Sequence, residues 1–210
     1  MTAVATIASK PFEIGTTGWT VADLDNRAIE RLWCKGRYEI IEGVLTRMPP
    51  AFFDGSCAVQ NLVFQVKKHL DEAALEGSFA PEVDIILGNR RVVIADFVFL
   101  TPADMAMQRR ANAARKRKRA KYGRLLVPPT LIIESSSLDH EAHDNQTKWR
   151  YYAEFGVPNY WIINAYERTL ECFILRDGAY EIDRPAKGRG KVSPSMFPGL
   201  TIPLQKLWTP

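Results

Sequence analysis

Apolar and polar positions along this chain follow two rhythms, one suited to strands and one to helices. The longest apolar run, RRVVIADFVFL at residues 90–100, has a single acid, Asp96, among residues suited to a strand covered on both faces. PEVDIIL precedes it, and the tight-turn pair Gly88-Asn89 separates the two. A strand after the proline pair of LLVPPTLIIE ends in Glu134, and YWIIN, TLECFIL and AYEID read as three more strands. YEIIEGVLTRM predicts a hairpin about Glu42-Gly43.

The helical rhythm appears four times. TVADLDNRAIERLW has the spacing of a short helix. SCAVQNLVFQVKKHLDEAALEG puts Val59, Leu62, Val63, Val66 and Leu70 on one face, with Ser56 as the candidate N-cap and Gly77 as the stop. TPADM predicts a helix start, with Thr101 as N-cap, Pro102 at the first helical position and Asp104 in the first turn, and this Ala/Lys/Arg-rich helix is expected to run to Gly123. HDNQTKWRYYAEFG predicts a helix ended by Gly156. Residues 1–18 show no periodicity and read as a loose lead-in. The mixed order predicts an α/β or α+β sheet flanked by helices, formed by a single domain over 19–210 with a basic insertion at about 102–123.

Composition narrows the class. At 210 residues and 46% hydrophobic content the chain can bury one substantial core. No apolar run approaches the ~20 residues of a membrane span, and the first residues lack the pattern of a secretory signal, so a soluble, cytoplasmic protein is expected. Cys34, Cys57 and Cys172 share no ligand spacing and read as reduced thiols. The net charge of +4 hides a segregation: Arg109 to Arg124 carries nine Lys/Arg and no acid, leaving 19 basic against 24 acidic residues elsewhere. A basic limb on an acidic body suggests a polyanionic partner.

Two buried-type strands that each deliver one carboxylate raise a chemical question. An unpaired charge removed from water costs several kcal/mol or titrates away, so Asp96 and Glu134 require cations. Each alone could pair with one of the many arginines. Together they could share a magnesium ion, which prefers oxygen ligands and keeps several waters. Lys148 lies one helical turn after Asp144, and an ammonium beside a divalent ion can orient a water and stabilise charge growing on a phosphate. His140 and His143 are three apart in an expected loop and do not form the helical zinc motif, whereas Ser135, Ser136 and Ser137 read as turn residues. Tyr38, Tyr160 and Trp161 lie in strand-like contexts suited to a core.

The order of an acid-ended strand (Ala95-Asp96), a second strand ending in Glu134 and then a lysine resembles the PD-(D/E)XK restriction-endonuclease-like superfamily. More narrowly, the chain is similar to a bacterial family of endonuclease-like proteins of unknown function that is greatly expanded in cyanobacteria. The pieces are YEIIEG, IADFVFL, LIIESSS, the Asp144/Lys148 pair, GVPNYWIIN and FPGLTIPLQKLW, and they span residue 19 to the C-terminus. The superfamily's proline before the aspartate is Ala95 here, and its lysine two residues after the glutamate is Ser136, so that role passes to Lys148. The family's histidine near the start of the first long helix is absent from GSCAVQN, and Asn164 stands in place of its aspartate after Tyr-Trp-Ile.

The resemblance implies a restriction-endonuclease-like mixed β-sheet flanked by helices, with an inserted basic helix. It also implies a magnesium- or manganese-dependent endonuclease that hydrolyses DNA phosphodiester bonds. Asp96 and Glu134 would hold the metal with the Ser135 carbonyl as a further ligand, Lys148 would position the water, and Glu39 and Asp144 would support. Glu39 also has a plainer reading, an exposed acid on the solvated face of the hairpin. Arg109, Arg110, Arg115, Lys116, Arg117, Lys118, Arg119 and Lys121 read either as a solvated charge run or as a helix that tracks DNA phosphates without sequence preference. Two rival readings stand beside the nuclease: a catalytically inactive DNA-binding or regulatory module that kept the fold, and an interaction protein whose Phe- and Trp-rich segments pack a homodimer.

Overall fold

The computed structural model describes residues 10–114, 123–136 and 141–208, with backbone alone for 141–146. Its contacts form two compact units: the described residues up to Pro49 with Ile86–Ile94, and Pro50–Ile85 with the described residues from Ala95 onward.

The first unit begins with a 3₁₀ turn at Val21–Asp25 and helix α1, Arg27–Trp33. Thr20 and Asp23 form a capping box that starts the turn, and the Asn26 side chain accepts the Ala28 N–H to start α1. Strands β1 (Tyr38–Ile41) and β2 (Val44–Arg47) pair antiparallel around Glu42 and Gly43, whose φ angles of 50° and 80° meet the need of a two-residue hairpin for positive φ at both central positions. Trp19, Leu24, Trp33, Ile40, Leu45 and Val92 form this unit's core. Phe12 packs edge-on against Trp19 and Tyr38, and the Gly15 N–H bonds the Leu45 carbonyl, so residues 10–18 are tied to the hairpin.

Strands β3 (Ser78–Gly88) and β4 (Arg91–Leu100) are paired and run through both units. The turn between them is Asn89-Arg90, one residue later than the Gly88-Asn89 expectation. Arg90 is drawn into the turn because its guanidinium donates to the Glu42 carbonyl at 2.6 Å while its own carbonyl accepts the Gly43 N–H.

In the second unit, the later half of β4 pairs antiparallel with β5 (Leu131–Ser135). Next to β5 lies β6 (Asn159–Asn164), in parallel, followed by antiparallel β7 (Thr169–Arg176) and β8 (Ala179–Lys187). A parallel pair needs a crossover, and helix α4, Glu141–Phe155, supplies it between β5 and β6. The short strands β9 (Lys191–Val192) and β10 (Ile202–Pro203) form a separate pair.

Helix α2, Phe53–Glu72, lays Ala58, Val59, Leu62, Val63, Val66 and Leu70 against Phe97, Phe99, Leu131, Ile133, Trp161 and Ile163. It starts before Ser56 and ends before Gly77, both of which were expected as its limits. Its N-cap is Phe52, without a side-chain cap bond, so packing rather than capping chemistry sets the start. Gly55 lies where α2 meets the end of β5, and a Cβ on it would come within 2.3 Å of Ser135 Oγ. Successive residues of a strand point to opposite faces. The residues of β4 and β5 that alternate with the α2-facing set, Asp96 and Glu134 among them, therefore belong to the other face.

Helix α3, Pro102–Ala114, begins as its sequence predicts. The Asp104 N–H bonds Thr101 Oγ1 at 3.2 Å, and the Thr101 N–H bonds the Asp104 carboxylate at 2.9 Å. The rest of the expected basic helix, with Arg115, Lys116, Arg117, Lys118, Arg119 and Lys121, lies outside the described residues. Beyond it, Arg124–Leu126 returns to the unit: Leu125 bridges Ile85, and the Gln108 side chain bonds both the Arg124 carbonyl and the Leu126 N–H.

Candidate active site

Antiparallel pairing places Phe97 opposite Ile133, so one step further Asp96 faces Glu134 across the β4–β5 ladder. Opposed residues of such a pair share a face, which brings the two carboxylates together. Backbone bonds latch them reciprocally. The Asp96 N–H donates to Glu134 Oε2 at 3.2 Å, and the Ser135 N–H donates to Asp96 Oδ2 at 2.9 Å.

Helix α4 closes over the inner acid. Lys148 and Tyr152, four residues apart and hence on one helical face, both reach Glu134 Oε1. The Tyr152 hydroxyl donates to it at 2.6 Å, and Lys148 Nζ stands 3.9 Å away, beyond hydrogen-bond length but within an ion pair. Lys148 and Glu134 are both buried, with side-chain exposures of 3% and 5%. Loss of water raises Glu134; the Lys148 ammonium pulls it back, and the Asp96 carboxylate adds to the rise, leaving it at about 8. Asp96 is half-buried at the outer side of the pair.

This donor set fits a small divalent cation. Two carboxylates lie side by side, and the inner one is desolvated beyond what its lysine compensates, so a cation there would relieve both. Among the described residues no group of three or more His, Cys, Asp or Glu side chains is arranged for a metal. An ion held here would take two carboxylates and keep much of its water, as magnesium does.

The remaining candidates fall in several places. Glu39 is buried, with 3% exposure, which corrects its reading as an exposed hairpin acid; its Oε1 accepts the Ile94 N–H at 2.8 Å within the first unit. Ser135 points its side chain towards Gly55 on the α2 side, leaving its backbone as the part that meets Asp96. Asp144 stands one turn before Lys148 in the continuous α4, which starts at Glu141, so the expected loop around His143 is helical; the Asp144 side chain and His140 lie outside the described residues. Arg109 and Arg110 are exposed on α3. Arg124, counted with the basic run, is instead a buried structural cation paired with Asp84 at 3.1 Å. Asn164 accepts the Glu167 N–H and so closes the β6–β7 turn.

Tyr152 was not among the sequence candidates. The signal available for it was its spacing of four from Lys148, which places both on one face of the helix that follows the glutamate strand.

Comparison with known proteins agrees with this arrangement. A solved structure described as a nuclease of the DUF820 group from Anabaena variabilis superposes with a TM-score of 0.61 at 16% identity, covering 82% of this chain and 90% of that one. No curated protein matches the sequence. The profile of the family described as "Uma2: Putative restriction endonuclease" matches residues 31–205. With a nuclease-like mixed sheet, and with the family's pattern running through most of its length, the chain belongs to the Uma2 family.

Proposed function

We propose that this protein is a metal-dependent endonuclease that hydrolyses DNA phosphodiester bonds at the Asp96–Glu134 pair. The observation that carries the reading is the meeting of two opposed strand carboxylates with a buried lysine from the crossover helix, 3.9 Å from Glu134. Asp96 and Glu134 would hold a magnesium or manganese ion, with the Ser135 carbonyl as a further ligand. Bound there, the ion supplies Lewis acidity towards a phosphoryl oxygen. Lys148 keeps a positive charge at the inner end of the site, where it can donate to the attacking water or to a phosphate oxygen as negative charge builds. The buried α4 face with Tyr152 excludes bulk water behind Glu134, which strengthens each of these interactions. Asp144 supports Lys148 from one turn earlier on the helix.

The substrate side of the proposal rests on charge. Arg109 and Arg110 are exposed on α3, and six further cations follow them in sequence, so this limb would meet DNA phosphates irrespective of base sequence. Supercoiled plasmid incubated with the purified protein and magnesium or manganese is expected to become nicked or linear, and Asp96→Ala is expected to abolish the conversion. Plasmid retarded in a gel but never nicked would replace the reading by that of an inactive DNA-binding module.

A further inference from the structure

We infer that Tyr152 is a positioning residue for the metal-binding carboxylate of Glu134; the inference rests on the reading that Glu134 holds the ion. A carboxylate at the end of a strand turns about its side-chain torsions unless both oxygens are engaged, and a ligand that turns binds an ion weakly. Here the two oxygens are held from two directions. Oε2 takes the Asp96 N–H from the neighbouring strand, and Oε1 takes the Tyr152 hydroxyl from α4. At 2.6 Å the second bond has the length of a charge-assisted O–H···O⁻ contact, whereas Lys148 at 3.9 Å is too far to fix an orientation.

The tyrosine is itself immobilised. It has no exposed surface, and its ring packs on Tyr160 with centroids 5.4 Å apart, one strand along the same sheet. A hydroxyl on so rigid a stem fixes the plane of the Glu134 carboxylate and leaves its remaining lone pairs directed to the side shared with Asp96. Lys148 supplies charge, and Tyr152 supplies direction.

The test is manganese binding by calorimetry on the full chain, comparing the unaltered protein with Tyr152→Phe, Tyr151→Phe and Glu134→Gln. Tyr151 is an equally buried neighbour on the same helix and controls for the loss of a buried hydroxyl. Tyr152→Phe should weaken manganese about 10- to 100-fold, the range for an outer partner of a metal ligand, while Tyr151→Phe stays within about threefold of the unaltered protein. Unchanged affinity in Tyr152→Phe overturns the inference, and so does an equal loss in both tyrosine variants, which would mark a general effect on the helix. A Tyr152→Phe chain that does not fold would also overturn it, since the hydroxyl would then be structural. Failure of the underlying reading looks different: the unaltered protein binds no manganese, or Glu134→Gln binds it as well as the unaltered protein does, and the inference falls with it.

Discussion

At the scale of single residues, the site is a problem of buried charge. Glu134 would ionise near 4.5 in the unfolded chain but only near 8 in the metal-free fold. Between those values the unfolded state has released a proton that the folded state still holds, so stability falls as pH rises through the window, by at most ~1.4 kcal/mol per pH unit, and levels off above it. Thermal melting of chelator-treated protein from pH 5 to pH 9 should show this decline, and Glu134→Gln should flatten it. A slope unchanged in that variant would assign the titration to another group. Manganese competes with the same proton, so its affinity should climb with pH up to about 8 and its binding should release protons.

At the scale of elements, α3 shows how a local signal becomes a tertiary joint. Asp104 caps the helix reciprocally with Thr101, and it also accepts the hydroxyl of Thr130, the residue just before β5. It is buried, so the cap has little water to fall back on. Asp104→Ala should therefore cost about 2 kcal/mol, towards the upper end for an N-cap, measurable as a shift in the urea midpoint, and Asp104→Asn should cost less. A loss below about 0.5 kcal/mol would mean that the contact to Thr130 adds nothing to the cap. At the other end of the same segment, Gln108 with Arg124 and Leu126 holds the returning chain. The basic limb thus leaves and re-enters the unit at fixed points.

At the scale of the whole molecule, charge is divided between one limb and the rest. If the limb tracks phosphate, each contact contributes a slope of about −0.9 to the dependence of log affinity on log salt, and about three to five side chains can reach one duplex. Replacing Arg115, Lys116, Arg117, Lys118 and Arg119 by glutamine should make the slope shallower by about 3 to 4.5 and weaken unrelated duplexes equally, as read by fluorescence anisotropy. An unchanged slope would leave the segment as a solvated limb. Loss of binding to one duplex alone would mean that it reads bases.

Sequence alone determined what depends on neighbours in the chain: the strand runs that carry Asp96 and Glu134, the Thr101–Asp104 cap, the Glu42-Gly43 hairpin and the helix that bears Lys148. Each follows from periodicity, φ preference or a side chain within reach of its own backbone. Tertiary structure decided what depends on partners far along the chain. The register of β4 on β5 set Asp96 opposite Glu134. The crossover helix then brought Lys148 and Tyr152 to one oxygen of that glutamate. Packing on β5 moved the start of α2 ahead of Ser56 and required a glycine at position 55. It also withdrew Arg124 from the basic run to pair with Asp84, and it buried Glu39 against the Ile94 N–H. In these cases the partner lies about 40 or more residues away or across a packed face, and no local pattern encodes which of many carboxylates or backbone groups a side chain will meet.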